Sequence, residues 1–347
     1  MKRNITIYEI AKEAGVSVST VSRVLTGNAN VSEKRMKKVM DVIEKYDYHP
    51  NSIARSLSNK KSHTIGIILP DITHPFYSQI FYGAESQALV KGYTLLLGCT
   101  MNDTIKHITN LEAHYVRILQ EKKVDGMIIM GGAVNETNPI KEHMDMIERL
   151  NERMPVVTIN DALPTRGTLH VGVDETIGTR ALVNYLVSLK HKRFAFIGGD
   201  LAIEPTQTRL NTMIESLAYH GIEFDMDFFI PNDFNVESGK KCMIELLQKP
   251  TMPTAVICLN DLVAIGAIYT ARKAGLVVPD DISIVGSDNM PMSEYVVPGL
   301  TTVDLKALEI GKKAIEVLIN SLENKKNAKE NYINTELVIR DSCRICK

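Results

Sequence analysis

The chain has 347 residues, 44% of them hydrophobic and 23% charged, which is typical of a soluble globular protein with a sizeable core. No apolar run is long enough to span a membrane, and Lys2 and Arg3 are not followed by the apolar segment of a secretory signal. Five cysteines, an odd number, do not make a disulfide framework. Composition therefore argues against membrane and secreted classes, and we expect a reducing cytoplasm.

The net charge of -1 hides an asymmetry along the chain. Residues 1–61 contain 12 Lys and Arg against 6 Asp and Glu, a charge of +6, whereas the remaining residues hold 28 basic against 35 acidic side chains. A small basic segment on an acidic body is expected where only that segment meets a polyanion such as DNA. Charge alone leaves open that a small domain is basic by chance.

The start of the chain has the signals of short helices joined by tight turns. Thr6 and Glu9 are spaced as a capping box, and Gly15 is placed to end the first helix. Ser17 is expected to cap a second helix over Val18–Leu25. Two short helices joined by a glycine-containing turn form a helix-turn-helix.

A third helix is expected to begin after Ser32, with one apolar stripe along it. The residues of that stripe are Met36, Val39, Met40 and Ile43. A generic three-helix bundle with a solvated basic face would share this pattern. Residues 51–57 can form two further helical turns, which are marginal alone in water and would be ordered only by packing on DNA and on a second copy.

Five motifs in fixed order make the DNA-binding interpretation specific. They are Thr6-Ile7-Tyr8-Glu9-Ile10-Ala11, Ala14-Gly15-Val16-Ser17, Thr20-Val21-Ser22-Arg23-Val24-Leu25, Tyr48-His49-Pro50-Asn51 and Ala54-Arg55-Ser56-Leu57. In this order and spacing, residues 5–61 resemble the DNA-binding head and hinge of the lactose-repressor (LacI/GalR) family.

The resemblance implies different tasks for the residues of the head. Val18, Ser19 and Arg23 would face base edges in the major groove. Leu57 would wedge into the minor groove at the operator centre, with Ala54 beside it. The other implied DNA contacts, most of them to phosphate, are Thr6, Tyr8, Ser17, Thr20, Ser22, Asn28 and Asn51.

The rest of the chain alternates short apolar runs with amphipathic helical stretches, a pattern that predicts parallel sheets with helices on both faces. The predicted strands are Thr64–Leu69, Tyr93–Leu97, Met127–Met130, Val156–Ile159, Leu169–Val173, Arg193–Ile197, Ala255–Leu259, Ile282–Val285 and Glu336–Arg340, with a late helix at 305–323. The predicted fold is an all-α helix-turn-helix head plus an α/β body of two lobes with parallel, doubly wound sheets.

Small and polar residues follow many of these strands. They are Pro70-Asp71, Asn160-Asp161, Gly198-Gly199-Asp200, Asn260-Asp261 and Gly286-Ser287-Asp288. The carboxyl ends of parallel strands line the ligand crevice of open α/β sheets, so we expect a cleft between two lobes. Carboxylates and carboxamides suit a hydroxyl-rich ligand, although local turn chemistry also explains any single residue.

The body resembles the periplasmic-binding-protein-like sensor module of the same family over nearly all its length. The matching stretches are 70–77, 124–126, 237–239, 253–256, 260–261, 279–286 and 300–303. The implied domains are a head at 1–50, a hinge helix and linker at 51–61, an N-terminal lobe at 62–161 plus about 304–333, and a C-terminal lobe at 162–303 plus about 334–347.

The implied effector contacts are Asp71, Phe76, Tyr77, Asn160, Arg209, Phe234, Asn260 and Asp288. Phe234 would stack on a sugar or base face, and Arg209 and Asp288 would hold hydroxyls from opposite sides. The chain departs from the family pattern after Arg209-Leu210, at Asn160 and at Ser287, which leaves the identity of the ligand open.

The sequence thus predicts a transcription regulator, a repressor, that acts as a homodimer on a near-palindromic double-stranded DNA operator. Its effector would be a sugar or sugar derivative, and a nucleobase or a phosphorylated carrier protein are alternatives. No catalytic residue, cofactor or metal is expected. Cys343 and Cys346 have the spacing of a redox or zinc pair, but a second pair is lacking, so two free thiols are expected.

Two other classes were weighed. An extracytoplasmic solute receptor needs a signal peptide and no head, which is the opposite of this sequence. An enzyme on the α/β body is disfavoured because the sequence contains no G-x-x-x-x-G-K-[ST], G-x-S-x-G or H-E-x-x-H motif.

Overall fold

The computed structural model describes residues 5–25, 31–48, 61–100, 111–159, 167–327 and 331–346. The chain divides into two units, residues 1–63 and 64–347, close to the predicted boundary between head and body. In the described parts of the chain, no helix is long and apolar enough to cross a membrane.

The first unit contains helices α1 (Ile7–Ala14), α2 (Val18–Leu25) and α3 (Glu33–Tyr46). The capping box at the start of α1 is formed. The Thr6 N–H donates to the Glu9 carboxylate at 2.8 Å, and the Glu9 N–H donates to Thr6 Oγ1 at 3.4 Å. Gly15 ends α1 in the left-handed conformation, with φ of 65°. The predicted bounds of the first two helices are therefore confirmed.

The core of this unit shows that the predicted stripe on α3 was partly wrong. Val39 and Val42 are buried, whereas Met36 and Met40 are 38% and 41% exposed. Within the described part of the first unit, α1 and α2 pack on α3, and the buried face of α3 is centred on Val39 and Val42. Ile10, Ala11, Ala14 and Val21 complete the core.

The second unit alternates strands and helices. In chain order they are β1 (Thr64–Leu69), α4 (Pro75–Val90), β2 (Thr94–Cys99), α5 (Leu111–Glu121), β3 (Gly126–Met130), α6 (Lys141–Asn151), β4 (Val156–Ile159), β5 (Leu169–Asp174), α7 (Glu175–Ser188), β6 (Phe194–Ile197), α8 (Glu204–Tyr219), β7 (Phe229–Ile230), α9 (Val236–Leu247), β8 (Ala255–Cys258), α10 (Asp261–Lys273), β9 (Ser283–Val285), α11 (Met292–Tyr295), β10 (Thr302–Asp304), α12 (Ala307–Leu322), β11 (Tyr332–Asn334) and β12 (Glu336–Val338). Short 3₁₀ helices lie at Gly132–Asn135 and Met226–Phe228.

Two parallel sheets define the two lobes. The N-terminal sheet has the strand order β11-β5-β4-β3-β1-β2, and the C-terminal sheet has the order β7-β6-β8-β9. A third, antiparallel pair joins β10 to β12. The predicted parallel α/β body is confirmed.

The predicted boundary between the lobes at 161/162 was wrong, because β5 pairs with β4 in the N-terminal sheet, in the register Val157↔Leu169. The N-terminal lobe therefore extends to Asp174. An apolar strand pattern does not reveal which sheet the strand joins. Strands β7, β10 and β11 were not predicted. Strand β7 has only two residues, and Thr302-Val303-Asp304 and Tyr332-Ile333-Asn334 alternate with polar residues, so none forms a recognisable apolar run.

Glycines allow helices in each lobe to approach closely. A Cβ on Gly83 of α4 would lie 2.2 Å from the carbonyl oxygen of Leu308, and one on Gly311 of α12 would lie 2.0 Å from that of Ile80. In the C-terminal lobe, α9 and α10 meet in the same way, because a Cβ on Gly239 would lie 2.0 Å from the Val263 carbonyl oxygen. These helices pack backbone to backbone.

The described chain crosses between the lobes after β5, after β10 and after β11, and these crossovers are bonded to one another. Thr335 Oγ1 accepts a hydrogen bond from the Gly178 N–H and donates one to the Asp174 carbonyl oxygen, both at 2.8 Å. Lys306 Nζ lies 3.0 Å from Asp304 Oδ2 and 2.6 Å from Glu336 Oε2. The crossovers thus form one block at the side of the cleft. Near the end of the chain, Cys343 and Cys346 are not joined in a disulfide.

Candidate ligand cleft and nucleic-acid interface

A cavity of about 200 Å³ lies between the two lobes. Its walls include residues that directly follow β1, β3 and β8, which places it at the carboxyl ends of parallel strands. Seven of the eight predicted effector contacts line it: Asp71, Phe76, Tyr77, Arg209, Phe234, Asn260 and Asp288. The eighth, Asn160, lies outside the described residues. The structure brings these side chains together, and their contact with an effector stays a prediction.

Five polar residues of the lining were not predicted: His74, Asn135, Glu175, Asp233 and Asn235. Glu175 follows β5 directly, so the strand-end rule could have found it. His74 lies within the 70–77 stretch that carried the family resemblance, and Asn235 is next to the predicted Phe234. Glu175, His74 and Asn235 could therefore have been predicted from the sequence.

Arg209 is held in the cleft by a buried ion pair. Its Nε donates to Glu175 Oε2 at 2.6 Å and its Nη2 donates to Glu175 Oε1 at 3.2 Å, while Nη1 donates to the Leu259 carbonyl oxygen. The side chains of Arg209 and Glu175 are 9% and 11% exposed. Three of the five guanidinium N–H groups are thus engaged, and two remain for a ligand.

The expectation that Arg209 and Asp288 lie on opposite sides of the ligand was wrong. Arg209 Nη2 lies 3.8 Å from Asp288 Oδ1, so the two groups are neighbours on one wall. Both come from the C-terminal lobe, which explains why they share a side. The predicted lobe at 162–303 already contained both residues, so opposite sides did not follow from the predicted lobes.

Asp288 is a buried carboxylate in an unusual backbone conformation. Its φ is 106°, a region that side chains rarely adopt, and its N–H donates to the Val303 carbonyl oxygen at 2.8 Å. Among the described residues nothing donates a hydrogen bond to its carboxylate, and Arg209 is the nearest cation. Burial raises the pKa of Asp288 well above its ordinary value, Asp261 and Glu175 add to the rise, and Arg209 opposes it. Because no described group donates to it, the carboxyl group has oxygen lone pairs available to a ligand.

Asn260 stabilises the fold and also lines the cleft. Its Oδ1 accepts from the Val263 N–H at 2.9 Å and so caps α10, while its Nδ2 donates to the Phe234 carbonyl oxygen at 2.9 Å. The same Nδ2 lies 3.4 Å from His74 Nε2, across the cleft. Only one N–H of Asn260 is left for a ligand.

His74 presents a second N–H at that point. Its Nδ1 accepts from the Phe76 N–H at 3.3 Å, which assigns the proton of the neutral ring to Nε2. Burial lowers the pKa of His74 to about 4, against the opposing charge of Asp71, so the ring is neutral at pH 7. His74 and Asn260 thus direct two donors, one from each lobe, towards one another, and an acceptor atom placed between them would satisfy both.

Aromatic rings form the wall of the N-terminal lobe. The Tyr77 ring centroid lies 5.3 Å from that of His74 and 5.4 Å from that of Phe76. Burial raises the pKa of Tyr77, and Asp288 adds to the rise, so its hydroxyl stays protonated. Gly131 follows β3 with φ of 77°, and a Cβ there would lie 2.1 Å from Pro70 Cγ. This wall therefore requires a glycine.

The two lobes are in contact at the edge of the cavity. The Thr137 N–H donates to the Ala202 carbonyl oxygen at 2.9 Å, and Glu136 and Ile203 form an antiparallel bridge. Because these residues belong to different lobes, the cavity is bounded on this side by a direct contact between the lobes.

In the first unit, α2 presents polar residues on its surface. Ser17 Oγ accepts from the Thr20 N–H at 3.2 Å and caps the helix. Of the predicted DNA contacts, Thr6, Tyr8, Ser17, Ser19, Ser22 and Arg23 are exposed, and Val18 and Thr20 are half-buried. Val18, predicted to face base edges, also packs partly against the core of the first unit. Asn28, Asn51, Ala54 and Leu57 lie outside the described residues.

Comparison with known proteins decides the family. Residues 6–51 match the model for bacterial regulatory proteins of the lacI family, and residues 183–343 match a periplasmic binding protein-like domain. The HTH-type transcriptional regulator DegA of Bacillus subtilis is 34% identical, over 97% of this chain and 97% of its own length. The chain belongs to the LacI family.

Solved structures of LacI-family proteins share the fold. The lac repressor dimer bound to operator and the anti-inducer ONPF is similar with a TM-score of 0.86 and 26% identity, over 99% of this chain and 100% of that one. A LacI-family regulator from Enterococcus faecium with bound ribose has a TM-score of 0.71 and 27% identity, over 82% of this chain and 100% of its own. This LacI-family chain is a DNA-binding transcriptional regulator with an effector-binding body, and the family is one of regulators, not enzymes.

Proposed function

We propose that the protein is an operator-specific repressor whose affinity for DNA is set by a small hydroxyl-rich effector, a sugar or sugar derivative, bound between the lobes. The polar cavity of about 200 Å³ is the observation that carries this proposal. A cleft of this size between two lobes that touch at its edge suits a single small ring better than an oligosaccharide or a peptide.

The polar groups of the cavity suit hydroxyls. Asp288 offers acceptor oxygens, two N–H groups of Arg209 are uncommitted, and His74 and Asn260 offer donors. A hydroxyl both donates and accepts, so a ring that carries several of them can satisfy all of these groups at once. Phe234 supplies an apolar face for the ring itself. The same aromatic face also fits a nucleobase, which is the second candidate.

The head would read DNA through α2. Ser19 and Arg23 are exposed on this helix, where a guanidinium can pair with guanine O6 and N7 in the major groove. The half-buried Val18 offers a methyl group for contact with a base edge. The exposed Tyr8 and Ser17 would contact phosphates and set the register.

The switch would act through the hinge. The lac repressor relative is described as a dimer on its operator, and we extend this arrangement to a homodimer of the present chain on a near-palindromic site. Lobe closure around the effector would change how the two N-terminal lobes of the dimer sit. That would set the spacing of residues 51–57 in the two copies, and hence whether Leu57 can enter the minor groove beside Ala54.

A two-step experiment tests this function. A thermal-shift screen of the full chain against neutral sugars, nucleosides, nucleobases and a phosphorylated carrier protein identifies the ligand class. Each ligand that binds is then added to a fluorescent operator, selected from random DNA with this chain, and the affinity is measured by anisotropy. We expect a monosaccharide or its derivative to change operator affinity about tenfold or more. A ligand that saturates the cleft without any effect on operator affinity would contradict the proposal.

A further inference from the structure

We propose that the cleft excludes anions, so that the effector is an unphosphorylated compound and its phosphate ester is rejected. This inference rests on the proposed function, because it takes the cavity between the lobes as the effector site. It adds that, within the ligand class, the cleft distinguishes a neutral sugar or nucleoside from its phosphorylated form.

The first observation is the charge of the lining. Among the described residues around the cavity, Asp71, Glu175, Asp233 and Asp288 are acidic, and Arg209 is the single basic side chain. His74 does not add a positive charge at pH 7, since burial lowers its pKa to about 4. The described lining is therefore acidic, and a low-dielectric wall weakens the screening of these charges by salt.

The second observation is that Arg209 is already neutralised. Glu175 takes two of its N–H groups through both carboxylate oxygens, at 2.6 and 3.2 Å, and the Leu259 carbonyl oxygen takes a third. An anion that approached the two remaining N–H groups would compete for one guanidinium with Glu175 and with Asp288, 3.8 Å away, and it would either stand beside the Asp288 charge or force a proton onto that carboxylate. Like charges placed together in a buried site are strongly unfavourable.

The third observation is independent of the side-chain charges. Helix N-termini are the usual backbone sites for anions, because their first N–H groups lack partners. Helices α4, α7, α9 and α10 begin at the cleft, and in each one a side chain of the chain itself accepts from one N–H of the first turn. Helix α8 also begins at the cleft and has no side-chain cap, but Pro205 removes one of its first N–H groups. The four caps are His74 for the Phe76 N–H at 3.3 Å, Asp174 for the Thr176 N–H at 3.0 Å, Asn235 for the Ser238 N–H at 2.9 Å and Asn260 for the Val263 N–H at 2.9 Å.

Together these features leave a phosphate only neutral N–H donors and the two remaining N–H groups of the paired Arg209, beside an acidic wall. A phosphate monoester of a ligand is expected to bind at least about a hundredfold more weakly than its neutral parent. Hydroxyl groups of a ligand, in contrast, can donate hydrogen bonds to Asp288. The cleft thus selects for the compound before a kinase acts on it or after a phosphatase has acted.

Inorganic phosphate is the probe for this exclusion, titrated calorimetrically into the full chain at constant ionic strength. Wild type is expected to show no saturable binding up to about 10 mM. Glu175→Gln frees Arg209 and is expected to bind phosphate at least about tenfold more tightly than wild type. Asp288→Asn is the second variant, because it removes a carboxylate while Arg209 stays paired. Glu215→Gln is the matched control, since it unpairs the exposed Arg180 instead.

Saturable binding to wild type below about 1 mM would overturn the proposal. So would phosphate affinities of Glu175→Gln and Asp288→Asn no higher than that of Glu215→Gln. In a second arm, ribose is compared with ribose 5-phosphate and adenosine with its monophosphate, and an ester that binds as tightly as its parent would also overturn it. If no neutral compound alters operator affinity, the proposed function fails, whereas the phosphate titrations still decide the exclusion.

Discussion

Replacement of Glu175 by glutamine tests the electrostatic design of the cleft. The Glu175 carboxylate and the Arg209 guanidinium are 11% and 9% exposed and share two short hydrogen bonds. Loss of one partner of a buried ion pair costs about 3–5 kcal/mol, because the other charge stays buried without compensation. Glutamine keeps one acceptor, and Asp288 at 3.8 Å supplies part of the missing charge, so we expect a loss near 3 kcal/mol, at the lower end.

The assay is urea unfolding of the full chain followed by far-ultraviolet circular dichroism, since the chain has no Trp for fluorescence. For a body of this size about 3 kcal/mol corresponds to a fall in Tm of about 6 °C. Glu215→Gln is the control, because the Arg180–Glu215 pair is exposed and 3.8 Å long, and its loss should cost less than about 0.5 kcal/mol. The reasoning is refuted if Glu175→Gln costs no more than this control.

Three further outcomes are expected. Gly311→Ala should destabilise the body by about 2 kcal/mol, because the new Cβ would lie 2.0 Å from the Ile80 carbonyl oxygen, whereas alanine at an ordinary helical glycine stabilises the helix. Urea unfolding measures the change, with Lys312→Ala as the control. A stabilised Gly311→Ala variant would contradict the close packing of the two helices. The pKa of His74 is 6.5 in the unfolded chain and about 4 in the folded state, so the folded state binds fewer protons. The free energy of unfolding should therefore fall by about 2 kcal/mol between pH 7 and pH 5. Melting curves of His74→Gln should lack this fall, and an equal fall in both proteins would count against the burial of the ring. Leu57→Ala should weaken operator binding while effector affinity stays nearly unchanged, and equal operator affinity would disprove the hinge model.

Much of the fold could be predicted because its signals are local. Thr6, Glu9 and Gly15 set α1 through a capping box and a left-handed residue, both of which are readable from adjacent positions. Long apolar runs gave the central strands of both sheets, since a strand buried on both faces needs no other pattern. The position of β5 could not be predicted in this way, because its membership of the N-terminal sheet depends on contacts with β4.

Local patterns also could not show which of the strand-end carboxylates face the cleft. Asp261 and Asp288 both follow strands, and the strand-end rule does not separate them. Asp261 turns into the lobe, where it accepts from the Met290 N–H at 2.8 Å and from Ser293 Oγ and Thr302 Oγ1 at 2.5 Å. Asp288 faces the cavity instead. The difference lies in the tertiary environment, which a sequence pattern does not contain.

Glu175 shows a further limit. Its role depends on Arg209, which lies on α8, 34 residues along the chain. The sequence indicated Arg209 through family resemblance, but it did not show which carboxylate neutralises it. The pairing of Glu175 with Arg209 decides whether the cleft can bind an anion. The charge selectivity could therefore be inferred only from the structure.

The central claim is that a ligand in the cleft controls the affinity of the head for DNA. Its most direct test is the anisotropy of a selected operator duplex, titrated with the full chain in the presence and absence of a sugar that binds in the thermal-shift screen. The account predicts that the sugar changes operator affinity about tenfold or more in wild type and has no effect on Asp288→Ala, which should bind the operator as wild type does without sugar. Identical titration curves for wild type with and without bound sugar, or a full response in Asp288→Ala, would contradict it.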